Sequence, residues 1–159
     1  MTESYYDKNI CLLIIQRSFG AQTIFQNPLD YKFYLKLMKR YKETYCIKIF
    51  AFCLLESSLY IVAGAADVKA VADFLGQVNQ SFCAFVSVRD HCRSALCIQR
   101  SKVLVIDDDR SLYDLVSFVE AFPLKRGMVD KEQDYEWCSF RLRVFGIETG
   151  LVEDFKLLP

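Results

Sequence analysis

Histidine and tryptophan each occur once in the 159 residues, proline three times and glycine six times, and the net charge is zero. So little Pro and Gly leaves no linker and no low-complexity tract, and residues 1–159 read as a single domain. No run approaches the roughly 20 apolar residues of a membrane helix. The longest apolar runs are strand-sized: Cys11–Ile15, Ile49–Leu55 and Leu59–Ala66. The first eight residues are polar and acidic, where an export signal would be basic and then apolar. A cytoplasmic chain without membrane contact is therefore expected. Zero net charge argues, at first sight, against a dedicated nucleic-acid binder.

What is present changes that first impression. Residues 1–106 carry 13 basic and 8 acidic groups, net +5, whereas residues 107–159 carry 7 basic and 12 acidic, net −5. Neutrality is a cancellation between two ends. Apolar residues make up 53% and aromatics 14%, enough for a packed core. The seven cysteines, at 11, 46, 53, 83, 92, 97 and 138, form no CxxC pair, and most lie in apolar runs. They read as free thiols in a reducing compartment. His91, Cys92 and Cys97 fall short of the four spaced ligands of a zinc site. No metal or other cofactor is expected.

A first strand is expected over about Cys11–Arg17, ending at Ser18-Phe19-Gly20. Asn27-Pro28 opens a helix to about Thr44, because Asn caps and Pro suits the first turn. Lys32, Lys36, Lys39 and Arg40 share its exposed side, and the span 32–48 is net +5. Cys46–Leu55 and Ser57–Ala65 read as an antiparallel hairpin at the centre of a sheet. Asp67 caps a second helix to about Val86, whose expected buried stripe is Val68, Val71, Ala72, Leu75, Val78, Phe82 and Phe85. An irregular stretch, Ser87–Arg100, precedes a short strand, Lys102–Ile106. The acidic turn 107–109 then starts a third helix to Phe122, with Pro123 as its stop. A last helix start is expected within Asp134–Phe140. The order β-α-β-β-α-β-α is α+β, with helices packed on one face of an antiparallel sheet, a ferredoxin-like or RRM-like arrangement.

Five blocks in this order resemble the one-tyrosine single-strand transposases, in particular the REP-associated tyrosine transposases. They are Gln16-Arg17-Ser18-Phe19-Gly20 with Thr23-Ile24-Phe25, and Phe50-Ala51-Phe52-Cys53-Leu54-Leu55. Arg100-Ser101-Lys102 with Val105-Ile106-Asp107-Asp108-Asp109, Pro123-Leu124-Lys125-Arg126-Gly127-Met128-Val129 and Asp134-Tyr135-Glu136-Trp137-Cys138-Ser139-Phe140 complete the set. The resemblance spans about residues 11–145. It implies a divalent metal held by a His-hydrophobic-His pair on a central strand. It further implies a helix-borne Tyr that attacks a DNA phosphodiester, and a metal-binding amide or acid one turn later.

The chain departs from that pattern at every one of those positions. The His pair falls on Ser58 and Tyr60, the nucleophile on Phe118 and the helical ligand on Phe122. A phenyl ring has no hydroxyl, and neither Ser nor Phe replaces an imidazole on a metal. Tyr113 lies five residues from Phe118, about 140° around a helix, and Tyr60 would stand where the metal belongs. Neither is a good replacement nucleophile. The resemblance therefore points to a catalytically inactive, transposase-like protein that binds single-stranded or hairpin DNA, either a domesticated regulator or a decaying mobile-element product. Candidate phosphate contacts are Arg17, Lys32, Lys36, Lys39, Arg40, Arg93, Arg100, Lys102, Lys125 and Arg126. The second helix region, residues 67–90, is net −1, which limits the expected affinity. The alternatives are an interaction or assembly protein with an apolar groove at Tyr60, Phe118 and Phe122, and an active transposase with a relocated Tyr. A homodimer and a monomer both stay open.

Overall fold

A computed structural model describes residues 9–20, 22–90, 98, 101–106 and 109–153. Arg93 and Arg100, His91, Cys92 and Cys97, and the start of the acidic turn at Asp107-Asp108 lie outside the described residues. The elements run β1 (Ile10–Arg17), α1 (Pro28–Thr44), β2 (Lys48–Leu54), β3 (Ser58–Ala65), α2 (Val68–Arg89) and β4 (Lys102–Ile106). They continue with α3 (Asp109–Glu120), α4 (Phe122–Lys125) and α5 (Ser139–Val144). The expected α+β class and antiparallel sheet are what the chain forms.

The helix boundaries follow from side-chain caps. Asn27 accepts a hydrogen bond from the Asp30 amide, and Asp67 accepts one from Ala70, so each satisfies an amide that the first turn leaves unpaired. α1 ends in a Schellman turn: Ile47 N–H bonds the Lys42 carbonyl at 2.8 Å and Cys46 N–H bonds that of Glu43 at 3.3 Å. Cys46 takes the left-handed position, φ 54°, that glycine usually fills.

The strand order is β2-β3-β1-β4, with every neighbouring pair antiparallel. The hairpin is therefore not central as a unit; β3 and β1 are the inner strands and β2 is an edge. That edge is covered by the C-terminal segment, where Leu54 N–H bonds Trp137 O at 2.8 Å and Glu153 N–H bonds Ile49 O at 2.7 Å. An uncovered strand edge invites pairing with other chains, and this cover removes the invitation.

Side chains alternate across the sheet. Leu12, Ile14, Leu59, Ile61 and Ala63 pack with α1 and α2, whereas Cys11, Leu13, Tyr60 and Val62 pack with Leu112, Val116 and Val119 of α3. Only α1 and α2 share a face as expected; α3 covers the opposite one. A bulge in β2 serves both layers: Ile49 pairs with Ala63 and Ala51 with Val62, leaving Phe50 as the extra residue. Phe50 and Ala51 then both face α3, while Ile49 and Phe52 face α1 and α2.

The α2 stripe is Val71, Phe74, Leu75, Val78, Phe82 and Val86. Val68 and Ala72, expected in it, are exposed because they lie one turn apart on the solvent side, and Phe85 is half-buried against Phe33. A polar strand of contacts runs through this layer. Fully buried Tyr34 donates to Asn79 Oδ1 at 2.9 Å, with Gln16 Oε1 3.3 Å from the same hydroxyl, and Gln16 Nε2 bonds Ser101 Oγ. Burial raises the Tyr34 pKa well above its ordinary value.

Candidate functional site

Three positions singled out in the sequence, Tyr60, Phe118 and Phe122, come together on the α3 face, and Ser58 shares that face two residues along β3 from Tyr60. Register fixes two of them. Tyr60 pairs with Ile15 and Ser58 with Arg17, so each pair shares a face, and the Tyr60 ring lies in the layer beneath α3. Pro123 fixes the others. It has no N–H to bond the Val119 carbonyl, so α3 stops at Glu120 rather than at Phe122, and α4 begins at Phe122. Phe122 thereby turns onto Tyr60, with ring centroids 4.3 Å apart and planes 29° apart, while Phe118 meets Phe122 edge-on at 4.9 Å.

Two cations sit on these rings. Lys125 Nζ lies 5.3 Å from the centre of the Phe118 ring and Arg126 Cζ 5.2 Å from that of Phe122. An Arg126 terminal nitrogen donates to the Tyr60 hydroxyl at 3.4 Å. Gly127 holds both cations in place. Its φ of 69° closes α4 with Gly127 N–H on Leu124 O at 3.0 Å and Met128 N–H on Pro123 O at 2.9 Å. Tyr60 is 4% exposed and Ser58 8%, but Phe118 is 43% exposed, and Lys125 and Arg126 are exposed. The cluster has an open cationic side and a buried floor.

The remaining sequence candidates divide by layer. Lys102 pairs with Ile15, so it shares the α3 face with Tyr60, two strands or about 10 Å away across the sheet. Exposed Arg17 lies on that face beside Ser58. Lys32, Lys36, Lys39 and Arg40 are all exposed, but they belong to α1, on the other side of the sheet. One surface cannot present both sets to a single strand of backbone. Lys42, counted in the basic span, is buried; it bonds Leu151 O at 3.3 Å and lies 3.6 Å from Glu153.

A divalent metal does not fit the donors that stand here. Phe118 and Phe122 offer rings, Ser58 a buried hydroxyl, and the Tyr60 phenol already carries a guanidinium. Among the described residues no three His, Cys, Asp or Glu side chains converge as a ligand set. The nearby thiols do not change this. Cys53, cross-strand from Tyr60, has a pKa held far above the ordinary value, first by its hydrogen bond with Cys138 and then by burial. Tyr113 is exposed on α3.

Sequence reasoning missed the groups that pin α3 to the sheet. Glu120, 4% exposed, accepts from Ser139 Oγ at 2.7 Å and from Arg143 Nε at 3.2 Å and a terminal nitrogen at 3.0 Å. Ser139 also contacts the backbone of Phe52, and Arg143 donates to Phe50 O. A glutamate in an otherwise apolar helix end was the available signal. Beside it, a cleft of about 580 Å³ is lined by Asp114, Ser117, Phe118, Glu120, Ala121, Lys125, Glu132 and Phe140.

No protein-family model matches the chain, and no curated protein does. Among solved structures, a REP-associated tyrosine transposase bound to a REP hairpin matches all of this chain and 99% of its own, with a TM-score of 0.70 and 14% identity. Full-length HypF in its phosphate- and nucleotide-bound form is matched over 62% of this chain and 11% of its own, at 15% identity and a TM-score of 0.32. The first likeness is one of fold over the whole length, and it agrees with the resemblance carried by the five sequence blocks.

Proposed function

We propose that this chain derives from the one-tyrosine single-strand transposases and binds hairpin or single-stranded DNA without cutting it. The observation that carries the reading is the replacement of a metal-and-tyrosine centre by rings under cations. Tyr60 and Phe122 stack, with Phe118 edge-on, at positions to which the resemblance assigns the ligands and nucleophile, and Lys125 and Arg126 lie against the two Phe rings. Phosphate contact needs positive charge and reach, which Lys125, Arg126, Arg17 and Lys102 supply on one face. The structural neighbour was solved with a DNA hairpin bound, which supports the same partner class. Among the described residues no helix is long and apolar enough to cross a membrane.

The reading of the site as an apolar protein-docking groove has less support. Tyr60 is buried and Phe122 half-buried under Arg126, so the rings do not form an open apolar trough. Cleavage also lacks support. A phosphotyrosine link forms only if a hydroxyl oxygen attacks phosphorus, loses its proton and expels the 3′ or 5′ oxygen; Phe118 has no such oxygen. Incubated with a tailed DNA hairpin labelled at both its 5′ and 3′ ends, so that either leaving oxygen leaves a label on the protein, and with Mg²⁺ or Mn²⁺, the protein is expected to give no covalent band on a denaturing gel. A metal-dependent covalent band would overturn the non-catalytic reading, and its loss in Tyr113→Phe or Tyr60→Phe would name the nucleophile.

A further inference from the structure

The cleft beside α3 has a chemistry of its own. Its volume of about 580 Å³ falls in the range of small-molecule sites. Phe118 and Phe140 give it two aromatic linings, and Lys125 stands at Phe118 with its ammonium 5.3 Å from the ring centre. Asp114 and Glu132 add acceptors, and Ser117 adds a hydroxyl. Carboxylates repel a phosphate but accept from the exocyclic amino groups of cytosine, adenine and guanine; thymine has no such group. Aromatic stacking with an adjacent cation is how single-strand binders hold an unpaired base.

We infer that this cleft takes one unpaired base of bound DNA, stacked on Phe118, with its amino group toward Asp114 or Glu132 and its phosphate toward Lys125. The inference rests on the DNA-binding reading and adds to it a site for the single-stranded tail and a base preference. The family's tyrosine position has become a stacking surface, because a phenyl ring on an exposed helix face serves that purpose without a hydroxyl. Phe118 at 43% exposure leaves ring surface for a base, whereas Phe122 is already covered by Tyr60 and Arg126.

Full-length protein would be titrated at low salt with three versions of one labelled DNA hairpin: blunt, with a four-cytosine tail, and with a four-thymine tail. The cytosine tail is expected to tighten binding about thirtyfold over the blunt hairpin, about tenfold from one good stacking contact and about threefold more from the amino group on a carboxylate. The thymine tail is expected to give about a third of that gain. Phe118→Leu should abolish the gain and Phe118→Trp should keep it, with circular dichroism and thermal melting confirming that both variants fold. Asp114→Asn with Glu132→Gln should erase the preference for cytosine over thymine. Hairpin binding with no tail gain, or a gain that survives Phe118→Leu, overturns this inference and leaves the DNA reading standing. No binding of any of the three overturns both.

Discussion

Glu120→Ala is expected to destabilise the fold by about 3 kcal/mol, which for a domain of this size lowers Tm by about 6–12 °C. The carboxylate is 4% exposed, and its Oε1 takes three hydrogen bonds, one from Ser139 and two from Arg143. Removing it deletes all three of these bonds and the negative charge that the partly exposed Arg143 side chain faces. The carboxylate is buried and charge-assisted hydrogen bonds are stronger than neutral ones, so the loss exceeds that of an ordinary surface ion pair. Glu120→Gln should lose less, because the amide oxygen still accepts from one donor. Urea unfolding followed by the fluorescence of Trp137 checks both variants. That indole is the chain's sole tryptophan and lies stacked on Tyr31 at 4.7 Å, so it reports on the segment that Glu120 anchors. A loss under about 1 kcal/mol for Glu120→Ala would mean that the network does not hold α3 to the sheet.

The largest effect on binding is expected from Lys125→Ala combined with Arg126→Ala. Two charge-assisted phosphate contacts at about 1.5 kcal/mol each amount to a roughly 100-fold loss of hairpin affinity near physiological salt. The slope of log affinity against log salt should flatten by about 1.5, since each lost contact no longer releases its share of a counterion. A triple variant of α1, Lys32→Ala with Lys36→Ala and Lys39→Ala, removes more charge but from the other side of the sheet. It should weaken binding by less than about threefold, the residue of long-range screening. Equal losses in the two variants would place the DNA on both faces or on neither.

The parts of this fold that were readable in the sequence are those set by local chemistry. Asn27 and Asp67 announce their helices because each side chain meets a specific amide three residues on. β1 and β3 are visible as apolar runs because inner strands are buried on both faces. Three features were not readable, because each depends on distant partners. β2 stands at an edge of the sheet, where the distant Trp137 and Glu153 backbone covers it. α3 took the opposite face because Tyr60 and Val62 leave an apolar surface there for Val116 and Val119. Val68 was misassigned to a buried stripe because periodicity gives a helical spacing, not the angle at which the helix meets the sheet.

The candidate site divides in the same way. Tyr60, Phe118 and Phe122, which the family resemblance singles out, meet in the fold, and Ser58 lies on the same face of β3. The ten basic candidates could not be sorted in advance, since a count of charges has no direction. Four of them lie on α1, four lie on the α3 face, and Arg93 and Arg100 fall outside the described residues. Lys42 shows the limit most plainly, because it contributes to a basic span on paper and to a buried contact with Leu151 and Glu153 in the fold.

We propose that a positive, ring-floored surface on the α3 face holds DNA in the absence of the cutting groups. A native-gel titration of the unmodified protein against a labelled, tailed DNA hairpin at low salt tests it most directly, repeated across rising salt. A discrete complex that weakens steadily as salt is raised is expected, as phosphate contacts require. No complex at the lowest salt, or one whose strength ignores salt, would contradict it.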